Sequence, residues 1–340
     1  MAHVQKSAAP LPVGITMGDA AGIGPEIIAK AFAQGLPACT IVYGDAGVMQ
    51  ATLEDLELDD RLRIEIISEP EACTNQEGVI PILNRWQALP ETLKPGIAQA
   101  EAGRGAYEYL CHAIDDAMTE RIRAIVTAPL NKKAMQMGGI DYPGHTEILA
   151  ERSGTTNYAM MLANPELRVL LVTIHVPLAS VPGLLSTEAE LKTIRLAQLA
   201  CLQAGLEHPR IAVAGLNPHA GEDGRFGREE IDIITPAIEA ARAEGMDVTG
   251  PLPGDTVFMQ ARQGAFDIVV AQYHDQGLIP VKYLGVDQGV NVTVGLPFVR
   301  TSVDHGTAYN IAGKGVADPA SLIAAYETAL AMTPQHSTVD

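Results

Sequence analysis

Long apolar runs are absent from this sequence, and aromatic residues, basic residues and closely spaced cysteines are scarce. No run approaches the roughly 18 apolar residues that a membrane-spanning helix requires. The first residues, MAHVQKSAAPLP, lack the apolar core of a secretory signal. A soluble, cytoplasmic chain is expected, with no membrane partner. Phe, Trp and Tyr together make up 4 % of the 340 residues, so the core must be built from Ala, Ile, Leu, Val and Met. Lys and Arg number 23 against 41 Asp and Glu, a formal net charge of −18. Such a surface repels nucleic acid and anionic membrane faces. An anionic small substrate stays open, because a few clustered cations can dominate a cleft. Cys39, Cys73, Cys111 and Cys201 form no CxxC pair, and reduced thiols in a reducing compartment are expected.

What is present points to an α/β enzyme. The apolar fraction is 47 %, the charged fraction 19 %, and many of the 32 glycines fall in short polar linkers between apolar runs. The length suits one large α/β domain or two closely joined ones. Val13 to Met17 reads as a strand, followed by a glycine-rich turn and a helix, PEIIAKAFAQG, with Pro25 in its first turn. ACTIVYGD and RIRAIVTAPL read as strands, with a helix before the latter that repeats Ala106, Leu110, Ala113 and Met118. This alternation favours a largely parallel sheet. Further on, one pattern occurs three times: LRVLLVTIH ends in His175, RIAVAGLNPH in His219 and AFDIVVAQYH in His274. Helices are expected between them, near Glu188 to Ala204 and Glu229 to Glu244. NVTVGLPFVR reads as one further strand, and SLIAAYETALAM as the last helix.

In open α/β sheets ligands lie beyond the carboxyl ends of the strands. His175, His219 and His274, far apart in sequence, can therefore converge there. Neutral imidazoles bind borderline divalent cations, and an open position admits substrate oxygens. Each histidine taken alone could equally be a general base, a hydrogen-bond donor or a structural residue, and the spacing matches no short zinc signature. PGHTE, with His145 and Thr146, either offers a helix N-terminus to an anion or has Thr146 as an ordinary cap. YHDQGLIPVK sets His274, Asp275 and Lys282 close together, and Asn291 and Arg300 flank the following strand. A lysine and an arginine near strand ends suit a phosphate or carboxylate. Gly18, Gly22 and Gly24 imitate a dinucleotide fingerprint, but Ile27 stands at the third glycine position. DHGTAYNIAGKG, from Asp304 to Gly315, is a second glycine-bearing loop and a candidate cofactor contact.

The blocks ITMGDAAGIGPE, TAPLNK, YPGHTE, TIHVPL, LNPHAGEDGRFG, GPLPGDTVF, YHDQGLIPVK and NVTVGLPFVRTSVDHGTA resemble, over nearly the whole chain, the 4-hydroxythreonine-4-phosphate dehydrogenase family. The resemblance implies an α/β, isocitrate/isopropylmalate dehydrogenase-like two-domain fold with its active site in the cleft between domains. It implies a terminal-containing, NAD-associated domain of residues 1–129 plus 295–340, and a central domain of residues 130–294 for metal, substrate and dimerisation. A divalent cation (Zn, Mg, Mn or Co) would be held by His175, His219 and His274, the last from the partner subunit of a homodimer. The substrate would be held by His145, Thr146, Lys282, Asn291 and Arg300, and NAD by His305, Gly306, Asn310 and Lys314. Asp255 and Asp275 match acidic positions near the site, and with Lys282 they are the candidates for proton movement. Ala20-Ala21 stands where Pro-Ala or a similar pair is usual.

The implied reaction oxidises a secondary alcohol β to a carboxylate, with hydride passing to NAD and carbon dioxide leaving. GGIDYPGHTEILA, RIAVAGLNPHAGEDGRFG and GMDVTGPLPGDTVF are most similar to the sugar-acid branch, whose substrates are 4-phospho-D-threonate and 4-phospho-D-erythronate and whose products are dihydroxyacetone phosphate, carbon dioxide and NADH. The competing substrates are 4-phosphooxy-L-threonine, of pyridoxine synthesis, and a cis-dihydrodiol carboxylate. Two further alternatives are a non-catalytic sugar-phosphate-binding protein and a metal-dependent hydrolase without NAD.

Overall fold

The structure is a computed structural model and describes residues 11–37, 39–285 and 289–333. The chain is a mixed α/β protein of two compact units, residues 11–143 with 307–319, and residues 144–306 with 320–333.

The first unit holds strands β1 (Val13–Thr16), β2 (Thr40–Tyr43), β3 (Arg63–Ile66), β4 (Val79–Leu83) and β5 (Ala124–Thr127), and helices α1 (Gly24–Gln34), α2 (Ala46–Asp55), α3 (Ala100–Met118) and α4 (Lys132–Met137). The strands lie in the order β3-β4-β2-β1-β5, all parallel, with Val13 opposite both Thr40 and Ala124. β1, β2, β4 and β5 are buried along their whole length, so each reads as a continuous apolar run rather than an alternation. α2 begins on Asp45, whose Oδ1 accepts the Val48 N–H at 2.8 Å. α3 buries Ala102, Ala106, Tyr109, Ala113 and Ala117, one stripe of a helix. One expectation fails here. Cys39 and Cys73 are disulfide-bonded, their Cα atoms 6.6 Å apart, while Cys111 and Cys201 are buried and form no disulfide. Cys39 immediately precedes β2 and Cys73 precedes β4, and those strands are neighbours. Sheet order, invisible in residue spacing, brings the pair together.

The second unit holds β6 (Ala159–Ala163), β7 (Arg168–Leu171), β8 (Arg210–Ala214), β9 (Asp247–Leu252), β10 (Ile268–Ala271), β11 (Val290–Val294) and β12 (Val299–Val303). Its helices are α5 (His145–Ser153), α6 (Val181–Leu184), α7 (Thr187–Gln203), α8 (Thr235–Ala243), α9 (Val257–Arg262), α10 (His274–Tyr283) and α11 (Ala320–Ala331). The strand order is β12-β11-β6-β7-β10-β8-β9. β7, β10, β8 and β9 run parallel, whereas β11 is antiparallel to both β12 and β6, and β6 to β7. NVTVGLPFVR is therefore not one strand but the turn of a hairpin with its two arms, and the sheet of this unit is mixed. Val169, Leu171, Ala212, Ala214, Val269 and Ala271 form a fully buried core against Leu278 and Val281 of α10 and Val257 of α9. Among the described residues, no helix is long and apolar enough to cross a membrane.

Candidate active site

Three neighbouring parallel strands place the three histidines. β10 pairs with β7 on one side and β8 on the other, with Ala271 opposite Leu171 and Val270 opposite Val213. Their carboxyl ends therefore lie side by side. Side chains then tie the exits together. Thr173 Oγ1 donates to Gln272 O at 2.7 Å, Gln272 Nε2 to Ala214 O at 2.9 Å, and Gln276 Nε2 to Gly215 O at 2.7 Å. Sequence reasoning passed over these two glutamines, although both sit within the AQYHDQG block.

His175 lies in the loop beyond β7, His219 in a 3-10 turn (Pro218–Gly221) beyond β8, and His274 opens α10 directly after β10. All three are at the surface or half-exposed. The rings of His175 and His274 have centroids 5.8 Å apart, and His274 Nδ1 is 2.7 Å from Asp275 Oδ1. A carboxylate on one ring nitrogen fixes the tautomer and leaves the other nitrogen for a ligand. The His219 ring packs 6.2 Å from that of Phe226 and has no ring contact with the other two among the described residues. A cleft of about 770 Å³ is lined by His219, Asp255, Tyr273 and Asp275. A smaller hollow of about 290 Å³ is lined by His175, His274, Tyr273 and Asp275. Imidazoles at three adjacent strand exits are donors of the kind that suits a borderline divalent cation. Among the described residues, however, one chain gathers no group of three such ligands.

The expected substrate residues lie in this same unit. Arg300 of β12 is buried, and its Nη1 donates to Thr293 Oγ1 of β11 at 3.0 Å. Burial pulls its guanidinium down to about 9, opposed by the charge of Glu147. Asn291 is half-buried on β11, opposite Ser302 and Leu162. Lys282, in the last turn of α10, pairs with Asp304 at 2.8 Å. His145 and Thr146 are the first two residues of α5, with Gly144 at the cap position. Thr146 is thus not the cap; it lines a hollow of about 320 Å³ with Thr156, Tyr158 and Lys192. Asp255 and Asp275 are exposed.

Of the expected cofactor residues, His305 and Gly306 follow β12, and the His305 Nδ1 lies 3.0 Å from Gly306 O. Asn310 and Lys314 are exposed in the first unit. Their segment is held by residues not singled out in the sequence. Tyr309 OH donates to Asp19 Oδ2 at 2.6 Å, Ala317 N to Glu26 Oε1 at 2.7 Å, and Lys30 Nζ to Ala317 O at 2.6 Å. Burial raises the Asp19 carboxyl, against the lowering effect of the Tyr309 hydrogen bond. The glycine-rich turn commits these amides to protein carbonyls: Asp19 N donates to Pro129 O, Gly22 N to Asp19 O, and Ile23 N to Thr307 O. A Cβ at Gly24 would lie 2.2 Å from Met17 O, so that glycine serves close backbone packing.

The family model of the pyridoxal phosphate biosynthetic protein PdxA matches residues 37–329. A 4-hydroxythreonine-4-phosphate dehydrogenase from Beijerinckia indica subsp. indica is 53 % identical over 321 residues, 94 % of each chain. A D-threonate 4-phosphate dehydrogenase from Pectobacterium atrosepticum is 46 % identical over 320 residues, 94 % of this chain and 98 % of its own. The crystal structure of a 4-hydroxythreonine-4-phosphate dehydrogenase from Klebsiella pneumoniae matches with a TM-score of 0.89 at 44 % identity, over 95 % of this chain and 100 % of that one. Sequence and fold agree over almost the full described length, and the chain belongs to the PdxA family.

Proposed function

We propose that this chain is an NAD-dependent dehydrogenase that oxidises and decarboxylates a 4-phosphorylated 3-hydroxy acid. Its substrate is 4-phospho-D-threonate or 4-phospho-D-erythronate, and its products are dihydroxyacetone phosphate, carbon dioxide and NADH. The observation that carries this is the set of three histidines on three adjacent parallel strand exits. It occurs in a chain 46 % identical to a D-threonate 4-phosphate dehydrogenase over 94 % of its length. The carbinol hydrogen leaves as hydride to NAD, and the hydroxyl proton passes to Lys282, Asp255, Asp275 or a water they hold. The resulting 3-keto acid then loses carbon dioxide. When bound, a divalent cation held by His175, His219 and the partner subunit's His274 supplies positive charge beside the reacting oxygen. His145, Thr146, Lys282, Asn291 and Arg300 hold the two anionic ends, so that remote contacts to phosphate help position the reacting carbon. His305, Gly306, Asn310 and Lys314 contact NAD. An isocitrate/isopropylmalate dehydrogenase-like architecture with a dimerising central domain (residues 130–294) belongs to the same proposal.

The 53 % identity to a 4-hydroxythreonine-4-phosphate dehydrogenase favours a second reading, in which 4-phosphooxy-L-threonine is the substrate. A panel of NADH-production assays separates the two, using 4-phospho-D-threonate, 4-phospho-D-erythronate, 4-phosphooxy-L-threonine and a dihydrodiol carboxylate, each with and without chelator. The sugar-acid phosphates are expected to give the highest kcat/KM, and chelation to abolish it. No NADH from any of the four with metal present sinks the dehydrogenase, and undiminished NADH after complete metal removal sinks the cation.

A further inference from the structure

The backbone around His219 is held in an unusual conformation. From His219 to Gly224, six consecutive residues have positive φ: 54°, 51°, 82°, 43°, 54° and 88°. Four of them, His219, Ala220, Glu222 and Asp223, have side chains that disfavour this region. Such a run persists only where its surroundings over-determine it. The loop's own turns supply part of the restraint, through Glu222 N to His219 O at 3.3 Å and Phe226 N to Gly221 O at 3.1 Å. A further restraint comes from one buried carboxylate. Glu230 is 2 % exposed and lies at the start of a π-helical turn (Glu230–Ile234) ahead of α8. Its Oε1 accepts the Asn217 main-chain N–H at 2.7 Å, and its Oε2 accepts Asn217 Nδ2 at 3.0 Å. Asn217 Nδ2 also reaches Glu229 Oε2 at 2.7 Å. A Cβ on Gly221 would stand 2.7 Å from Glu230 Oε2, so the loop is folded directly onto the carboxylate.

We propose that Glu230, acting through Asn217, is the positioning residue that fixes His219 in its ligating orientation. The assignment rests on His219 being a metal ligand. A buried carboxylate held, among the described residues, by amide hydrogens is costly to desolvate and would be poorly chosen for stability alone. Here it satisfies the amide at the entry of the strained loop, two residues before the imidazole. The left-handed run then turns the chain back over it. Residues that orient metal ligands typically change affinity by about 10–100-fold when altered.

The test titrates Co2+ into the metal-free, full-length protein and reads both affinity and the visible d–d spectrum, for wild type, His219→Ala, Glu230→Gln and Asn217→Ala. Glu230→Gln keeps shape but presents an NH2 group to Asn217 at one of its two contacts. It is expected to retain cooperative melting, bind Co2+ about 10–100-fold more weakly and show an altered d–d band. Asn217→Ala keeps the main-chain bond and is expected to show a smaller loss in the same direction. Wild-type affinity and spectrum in folded Glu230→Gln overturn the proposal. If that variant does not fold, wild-type behaviour of Asn217→Ala overturns it instead. A His219→Ala protein that binds Co2+ as wild type does, or a wild type that binds none, overturns the metal reading and the positioning role with it. Loss in His219→Ala alone overturns only the positioning role.

Discussion

Arg300 is the most deeply enclosed cation of the proposed substrate site. Burial pulls its guanidinium down, and Glu147 acts in the opposite direction. A buried cation is costly to desolvate, and a phosphate or carboxylate of the substrate would offset part of that cost. Arg300→Lys keeps the charge but loses the planar fork that matches two oxygens at once. A hydrogen bond to a charged group contributes about 1.5–3 kcal/mol. The kcat/KM of Arg300→Lys should therefore fall roughly 10–100-fold, mostly through KM, with the fold retained by circular dichroism. Unchanged kinetics on the preferred phosphorylated acid would remove Arg300 from the binding set. The residue type of Arg300 was legible in the sequence, but its place was not: it was expected to flank the end of one strand and lies inside β12. Nor was its near-complete burial, since that depends on the hairpin with β11, whose turn lies hidden inside the apolar stretch NVTVGLPFVR.

At the scale of elements, α7 places a carboxyl where none is expected. Glu190 is fully buried, its Oε2 meets Gln272 Nε2 only at 3.5 Å, and its Oε1 has no hydrogen-bond partner among the described residues. Burial raises this group from its ordinary 4.5 to about 8, with Gln272 opposing weakly. Between those two values the folded protein holds a proton that the unfolded chain has released. The stability that protonated Glu190 contributes is therefore fully present below about pH 4.5, declines as pH rises and is gone above about pH 8. The slope is at most about 1.4 kcal/mol per pH unit for one group. Melting temperatures of wild type and Glu190→Gln between pH 5 and 9 should diverge, the variant being flatter and the more stable at the alkaline end. Parallel curves would show that Glu190 does not control this dependence. The neighbouring elements show why some of the site could be read in advance. Strands covered on both faces print unbroken apolar runs, so the exits at His175, His219 and His274 stand out where each run stops. The Cys39–Cys73 bond and the left-handed loop after His219 could not be read so, because sheet order creates the first and backbone dihedrals the second.

For the whole molecule the question is how many chains build one proposed metal site. Within one chain His175 and His274 adjoin, yet no three ligands gather among the described residues. Large apolar side chains lie exposed near these strand exits: Leu178 at 66 %, Phe226 at 45 %, Ile279 at 63 % and Tyr283 at 89 %. Exposed apolar groups of this size around polar ligands suit burial by a second subunit. A site shared between subunits makes a prediction that no single-chain site can meet. His175→Ala and His274→Ala should each be folded and inactive as homodimers. In a mixed dimer one site has lost both ligands, while the other takes its His175 from one subunit and its His274 from the other, both intact. Co-refolding the two variants in equal amounts yields mixed dimers as half of the population, each with one working site of two. Activity should therefore return to about one quarter of the wild-type level. If each chain builds its own site, every site in every combination lacks one ligand and no activity returns. NADH production after dissociation and reassembly, compared with the same proteins mixed without dissociation, distinguishes a shared site from a self-contained one.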